Sequence, residues 1–209
     1  MKRLSAQSYK VAFVGEARVG KTSLIRVLFG NEFRDDQPSS ICEDLFAGEF
    51  TGTDGARVWL QVWDTTGQDT VLETATTFIR GSALVMIVFN LCDTSTLMAC
   101  SEWAHNVRLK LGDEPQLLLV GTQHDRDLDR RVPSGLAHDK AAEIGALFIE
   151  TSAKSGHNVD TLKSLLVQLC TQSSLQLIRP SNLVKLTANA TEPRNAQVAL
   201  GSRSDPCSC

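Results

Sequence analysis

Residues 15–22 read Gly-Glu-Ala-Arg-Val-Gly-Lys-Thr and fit the spacing G-x-x-x-x-G-K-[ST] at every required position. Chemistry on phosphates needs these residue types in this order. Gly15 and Gly20 let the backbone curl so that its N–H groups face phosphate oxygens. The positive end of the following helix adds to the field. Lys21 can reach the β- and γ-phosphates, and the Thr22 hydroxyl can ligate Mg²⁺. Ala17, Arg18, Val19 and Ser23 line the same cradle. The context supports the motif, because an apolar run at 9–15 enters it and residues 20–30 leave it with Leu24, Ile25 and Leu28 at helical spacing. Such a loop specifies a nucleoside triphosphate but not its base.

Two further stretches add chemistry. Val62-Trp63-Asp64-Thr65-Thr66-Gly67-Gln68 places an aspartate at the end of a strand, 43 residues after Lys21. An aspartate there can hold Mg²⁺ through a water. Gly67 offers the γ-phosphate a backbone N–H with no side chain in the way, and Gln68 can orient an attacking water. Taken alone, D-x-x-G is a weak signal, and its distance from the phosphate loop gives it weight. Gly121-Thr122-Gln123-His124-Asp125 follows the run Gln116–Val120. A carboxylate at Asp125 can accept two hydrogen bonds from the N1–H and N2–H₂ edge of guanine. Adenine lacks those donors and would leave a buried charge unpaired, which is costly.

The elements that must carry these residues are legible in outline. Continuous apolar runs at 83–89 and 116–120, and a shorter one at 146–149, suit strands covered on both faces. Two strands near 43–51 and 57–63 flank a turn at Thr53-Asp54-Gly55. Leu97, Cys100, Ala104, Val107 and Leu111 recur at helical spacing, as do Val159, Leu162, Leu165, Leu166 and Leu169. Strand–helix alternation predicts a doubly wound α/β domain with its ligand at the carboxyl ends of the strands. Beyond about residue 174 the pattern loosens, and 179–209, rich in Ser, Pro, Asn and Arg, reads as a flexible tail.

Bulk properties exclude several classes. With 209 residues, a net charge of −3 and 42% hydrophobic residues, the chain suits one domain and a tail, and no nucleic-acid partner is expected. No apolar run reaches membrane-spanning length, and Met1–Lys10 lacks the apolar stretch of a signal peptide, so a cytosolic protein is expected. Cys42, Cys92, Cys100 and Cys170 read as small buried hydrophobes. Cys207 and Cys209 stand apart at the end of the chain. Histidines 105, 124, 138 and 157 show no metal-like spacing and read as surface or packing residues.

Together the motifs resemble the Ras superfamily of small GTPases. Residues 63–68 are similar to the family's WDTAGQ, with Thr66 for Ala. Residues 150–154 (Glu-Thr-Ser-Ala-Lys) match its ETSAK segment completely, and 122–125 (Thr-Gln-His-Asp) stand where N-K-x-D is usual, in a form that resembles a Rho-branch variant. The resemblance implies a small G domain over 8–174, a six-stranded, mostly parallel sheet flanked by helices, and a hypervariable tail over 175–209. It implies GTP and GDP as the bound nucleotides, with Mg²⁺ held by Thr22, Ser40 and Asp64. Ser40 aligns with the threonine before Ile41 that supplies a hydroxyl to Mg²⁺ and an N–H to the γ-phosphate. Phe33 would pack on the guanine, the N–H of Ala153 would face its O6, and Lys154 would lie against the ring, with Ser152, Thr122 and Gln123 in the same base site. Gln68 would be the catalytic residue.

The ending Pro206-Cys207-Ser208-Cys209 is not C-a-a-X and resembles the C-x-C ending of Rab proteins, where both cysteines carry geranylgeranyl groups. Trp59–Trp63 and Phe78–Gly81 resemble Rab segments, whereas Ile41–Leu45 does so only loosely. A divergent, monomeric Rab-like switch in membrane trafficking is implied, attached reversibly to the cytosolic face of an endomembrane. Its expected partners are an exchange factor, an activating protein, a GDP-dissociation inhibitor and effectors. Two alternatives stand beside it. Ser40 and the altered 122–125 loop motivate a nucleotide-bound scaffold that rarely hydrolyses. A phosphate-loop kinase or ATPase would leave Asp125 and Ser152–Lys154 unexplained and lacks a lid segment with paired arginines.

Overall fold

The computed structural model describes residues 7–35, 44–53, 55–65, 79–112 and 115–172. In chain order these form β1 (Gln7–Val14), α1 (Lys21–Leu28), β2 (Asp44–Thr51), β3 (Arg57–Asp64), β4 (Leu84–Asn90), α2 (Thr94–Leu111), β5 (Gln116–Thr122), a short 3₁₀ turn (Asp127–Asp129), α3 (Ser134–Glu143), β6 (Leu147–Glu150) and α4 (Val159–Gln172). The six strands make one sheet in the order β2-β3-β1-β4-β5-β6. β2 pairs antiparallel to β3, from Asp44↔Asp64 to Thr51↔Arg57, and every other pair is parallel. The expected doubly wound α/β sheet is therefore present. β1 lies between β3 and β4, where the winding reverses, and its carboxyl end opens into the crevice in which such folds bind ligands.

Burial explains why the runs in the sequence were continuous. β4 is buried from Leu84 to Phe89, because helices cover both faces of the sheet. One core layer packs Val11 and Phe13 against Leu24, Ile25 and Leu28 of α1 and Leu162 and Leu166 of α4. The opposite layer packs Ala12 and Val14 together with Leu97, Cys100 and Ala104 of α2. α1 has only eight residues, too few to hold a helix in water by itself. Its stability comes from the three buried side chains, each contributing about 1.5–3 kcal/mol. Phe29, just past α1, meets Phe46 at 5.6 Å and Phe50 edge-on at 5.2 Å between ring centroids. This aromatic contact fastens the edge strand β2 to the helix.

Three readings need correction. α3 was not anticipated, because its buried side is only Ala137 and Ala141, too small to show as a hydrophobic stripe. Cys92 is half-buried rather than a core residue, since it sits in the turn after β4 with Sγ 3.8 Å from the Arg126 carbonyl. Cys100 and Cys170 are buried as expected. Asp125 is exposed in the chain alone, so its carboxylate is not a buried charge before a ligand covers it. Cys42, Ser40, Thr66, Gly67, Gln68, Cys207 and Cys209 lie outside the described residues.

Candidate functional site

The phosphate loop runs from the end of β1 into α1. Gly15 has φ 138°, and a Cβ there would stand 2.2 Å from the Val88 carbonyl oxygen of β4. Only glycine fits, because the loop passes directly against the neighbouring strand. Gly20 is also left-handed, at φ 92°, and turns the chain into α1. Arg18 holds φ 63° without being glycine, a strain that loops binding ligands often retain. Lys21 is buried, and its Nζ donates to the carbonyls of Gly15 (2.9 Å) and Glu16 (2.8 Å). Burial lowers its ammonium to about 8, although Asp64 and Glu16 pull the other way. An anion entering the loop would favour the ammonium and raise that value.

At the end of β3, buried Asp64 accepts a hydrogen bond from the Thr22 hydroxyl, Oγ1 to Oδ2 2.5 Å. Thr65 donates to the Phe13 carbonyl at 2.8 Å and ties this strand end to β1. A hydroxyl and a carboxylate brought together beside a lysine make an oxygen donor pair that fits a hard cation such as Mg²⁺. The donor chemistry thus agrees with the expected group. Among the described residues no cluster of three or more His, Cys, Asp or Glu side chains offers another metal site.

A second lobe of the site lies at the ends of β5 and β6. Thr122 is buried, and its hydroxyl faces two carbonyls, Val19 of the phosphate loop at 2.5 Å and Phe89 of β4 at 2.9 Å. It therefore braces the phosphate loop from the base side. Gln123 takes φ 62°, and its side-chain carbonyl accepts from Arg126 Nη1 at 2.8 Å. The Ser152 hydroxyl donates to Asp125 Oδ1 at 2.5 Å and accepts from the Ser155 N–H at 3.0 Å, which fixes the carboxylate at the cleft. Backbone bonds join the two loops, Thr151 N–H to Gly121 O at 2.7 Å and His124 N–H to Thr151 O at 3.1 Å. Lys154 Nζ lies 5.8 Å from the Phe33 ring centroid and 3.0 Å from Asp35 Oδ1. Phe33 and Lys154 thus approach each other and Ser152 holds Asp125 in the adjoining loop, while Thr22 and Asp64 meet beside Lys21.

Two supporting residues stood in the sequence only as members of a motif, with no role of their own. Gly121 is one, since a Cβ there would meet Leu91 and Phe89 side-chain atoms at 3.0 Å. Glu150 is another. It receives both Arg130 Nη1 (2.9 Å) and Nη2 (2.5 Å) and the Ser134 hydroxyl (2.7 Å). Burial alone would raise its pKa, but these bonds hold it below the ordinary carboxylate value. His124 and His157 stack at 4.0 Å beside it, a packing role in keeping with the reading of the histidines.

The sequence model of the Ras family matches residues 10–172, the span that contains both lobes of the cleft. The chain belongs to the Ras family. Its relatives include the human EF-hand calcium-binding domain-containing protein 4B, 34% identical over 158 residues, which cover 76% of this chain and 21% of that relative. The chain thus spans about a fifth of the length of this curated relative. Members of the Ras family are small GTPases that bind GTP and GDP with Mg²⁺, and the matched span contains the phosphate loop and the Asp125 loop described above.

Proposed function

We propose that this chain is a divergent Rab-type GTPase that switches between GDP- and GTP-bound states on a membrane. One observation carries the reading: the Thr22–Asp64 pair beside Lys21 and the Ser152-held Asp125 both stand at or just beyond the carboxyl ends of parallel strands in one sheet. The triphosphate lies in the 15–22 loop, and Lys21 reaches its β- and γ-phosphates. Guanine presents N1–H and N2–H₂ to Asp125, flanked by Phe33 and Lys154, with the Ala153 N–H toward O6. Thr22 and Asp64, with Ser40, hold Mg²⁺, which when bound neutralises charge on the β- and γ-phosphate oxygens. Gln68 orients the water that attacks the γ-phosphate, and the Gly67 N–H donates to that same phosphate. Hydrolysis in this scheme is positioning and electrostatics, is slow without a helper protein, and depends on Mg²⁺.

The G domain spans 8–174, and the tail over 175–209 carries lipid on Cys207 and Cys209. Two prenyl chains give stable anchoring where one gives marginal binding. The protein then works as a monomer on the cytosolic face of an endomembrane in vesicle transport, served by an exchange factor, an activating protein, a dissociation inhibitor and effectors. Gln68→Leu tests the catalytic assignment. Loss of hydrolysis with GTP binding retained is expected, and hydrolysis at the wild-type rate would remove Gln68 from the mechanism.

A second reading, a GTP-bound scaffold that rarely turns over, is favoured by Gln123, whose amide is committed to Arg126 instead of the base, and by serine at position 40. Ser40→Thr should slow GTP release if the missing methyl loosens the loop, and an unchanged release rate would sink that idea. Hydrolysis measured with or without a helper protein would remove the scaffold reading.

A further inference from the structure

The phosphate loop of this chain contains a carboxylate, Glu16, directly after Gly15, where phosphate negative charge would gather. A free carboxylate beside a triphosphate is repulsive. The structure shows what holds it. Trp103, on the inner side of α2, donates its indole N–H to Glu16 Oε1 at 3.2 Å, across 87 residues of sequence. The indole is half-buried against the α2-side core layer and so is itself fixed. The carbonyl of the same Glu16 accepts from Lys21 Nζ at 2.8 Å. One residue therefore connects helix α2, through its side chain, to the phosphate-binding lysine, through its backbone. Thr122 pins the far part of the loop at Val19, and Trp103 pins the near part at Glu16.

We propose that Trp103 is a positioning residue for the bound nucleotide: its indole N–H tethers the Glu16 carboxylate to α2, away from the phosphates, and so sets how long the nucleotide stays. Phenylalanine would fill most of the same space but cannot donate, so the tether and not the packing is removed by Trp103→Phe. The inference rests on the nucleotide reading given above.

The test follows release of a fluorescent GDP analogue from the full chain in excess unlabelled GDP, for wild type, W103F, E16A, E16Q and the W103F/E16A double variant. W103F is expected to release about 3–10-fold faster, a change of about 0.65–1.4 kcal/mol. E16A removes the carboxylate that W103F would free, so E16A and the double variant should both release within about twofold of wild type or more slowly. E16Q keeps a side-chain oxygen for the indole and should release within about twofold of wild type or more slowly. Multiplicative effects of W103F and E16A, or W103F within twofold of wild type, would show Trp103 to be packing only and overturn the proposal. Should W103F fail to fold, E16A and E16Q decide it, since faster release from both would show that the carboxylate helps hold the nucleotide and overturn the tether. A wild-type chain that takes up no fluorescent GDP would overturn the guanine reading itself and the proposal with it, an outcome distinct from wild-type binding with unaltered W103F release.

Discussion

Thr122→Val is a nearly isosteric change that isolates one hydrogen bond. The Thr122 hydroxyl is buried and shares its single proton between the Val19 carbonyl at 2.5 Å and the Phe89 carbonyl at 2.9 Å. Valine fills the same volume, so no cavity opens, and the loss is that of the donor. A buried hydrogen bond contributes about 1 kcal/mol net, and a carbonyl left without a partner costs about 1–3 kcal/mol. The expected destabilisation is about 1–2 kcal/mol. Because Val19 belongs to the phosphate loop, the loss should appear in nucleotide retention as well as in folding. At about 1.4 kcal/mol per tenfold, release of a fluorescent GDP analogue should accelerate about 5–30-fold. Urea unfolding of the same preparation reports the folding part. Destabilisation with release unchanged within twofold would show that Thr122 merely secures β5 to β4, and the account of it as a brace for the phosphate loop would be wrong.

Two other outcomes follow from the charged groups. Lys21→Met should abolish nucleotide binding yet leave the nucleotide-free chain at pH 7 no less stable than wild type. Burial lowers the Lys21 pKa from 10.5 to about 8, so between these values the unfolded state binds more protons and wild-type stability rises with pH. Relative to K21M, the nucleotide-free wild type should gain up to about 3 kcal/mol across that window, read by urea unfolding at each pH, and a flat difference would refute the assignment. Glu150→Gln removes the charge and one of the two oxygens that accept from Arg130 and Ser134 and should cost about 1–2 kcal/mol at pH 7. The folded pKa of Glu150 is depressed below 4.5, so its contribution is present above that value and disappears as pH falls through the folded value. The gap between variant and wild type should therefore narrow as pH falls below 4.5, and a constant gap would contradict the role.

What the sequence revealed was local, and what it concealed was long-range. The phosphate loop was legible because Gly15, Gly20, Lys21 and Thr22 act within eight residues, and the structure shows the geometric need for Gly15 against Val88. Buried strands were legible because β4 is apolar along its length, and their ends fell within two residues of the expected bounds. α3 was missed because alanines at 137 and 141 carry its packing. Glu150 was visible only as part of a match to a family segment. Its partners Arg130 and Ser134 lie 20 and 16 residues away on other elements, and no spacing rule connects them. The same holds for Thr122 and Val19, 103 residues apart, and for Trp103 and Glu16, 87 apart. Such contacts arise from strand order, with β1 next to β4 and β4 next to β5, which sequence periodicity does not encode.

The central claim is that this cleft holds a guanine nucleotide. Purified protein should be denatured and the released nucleotide identified and counted by chromatography. Guanine nucleotide at one equivalent per chain is the predicted result, as GDP if the chain completes hydrolysis and as GTP if it acts as a scaffold. Adenine nucleotide in its place would contradict the assignment of Asp125 and Ser152–Lys154 to the base.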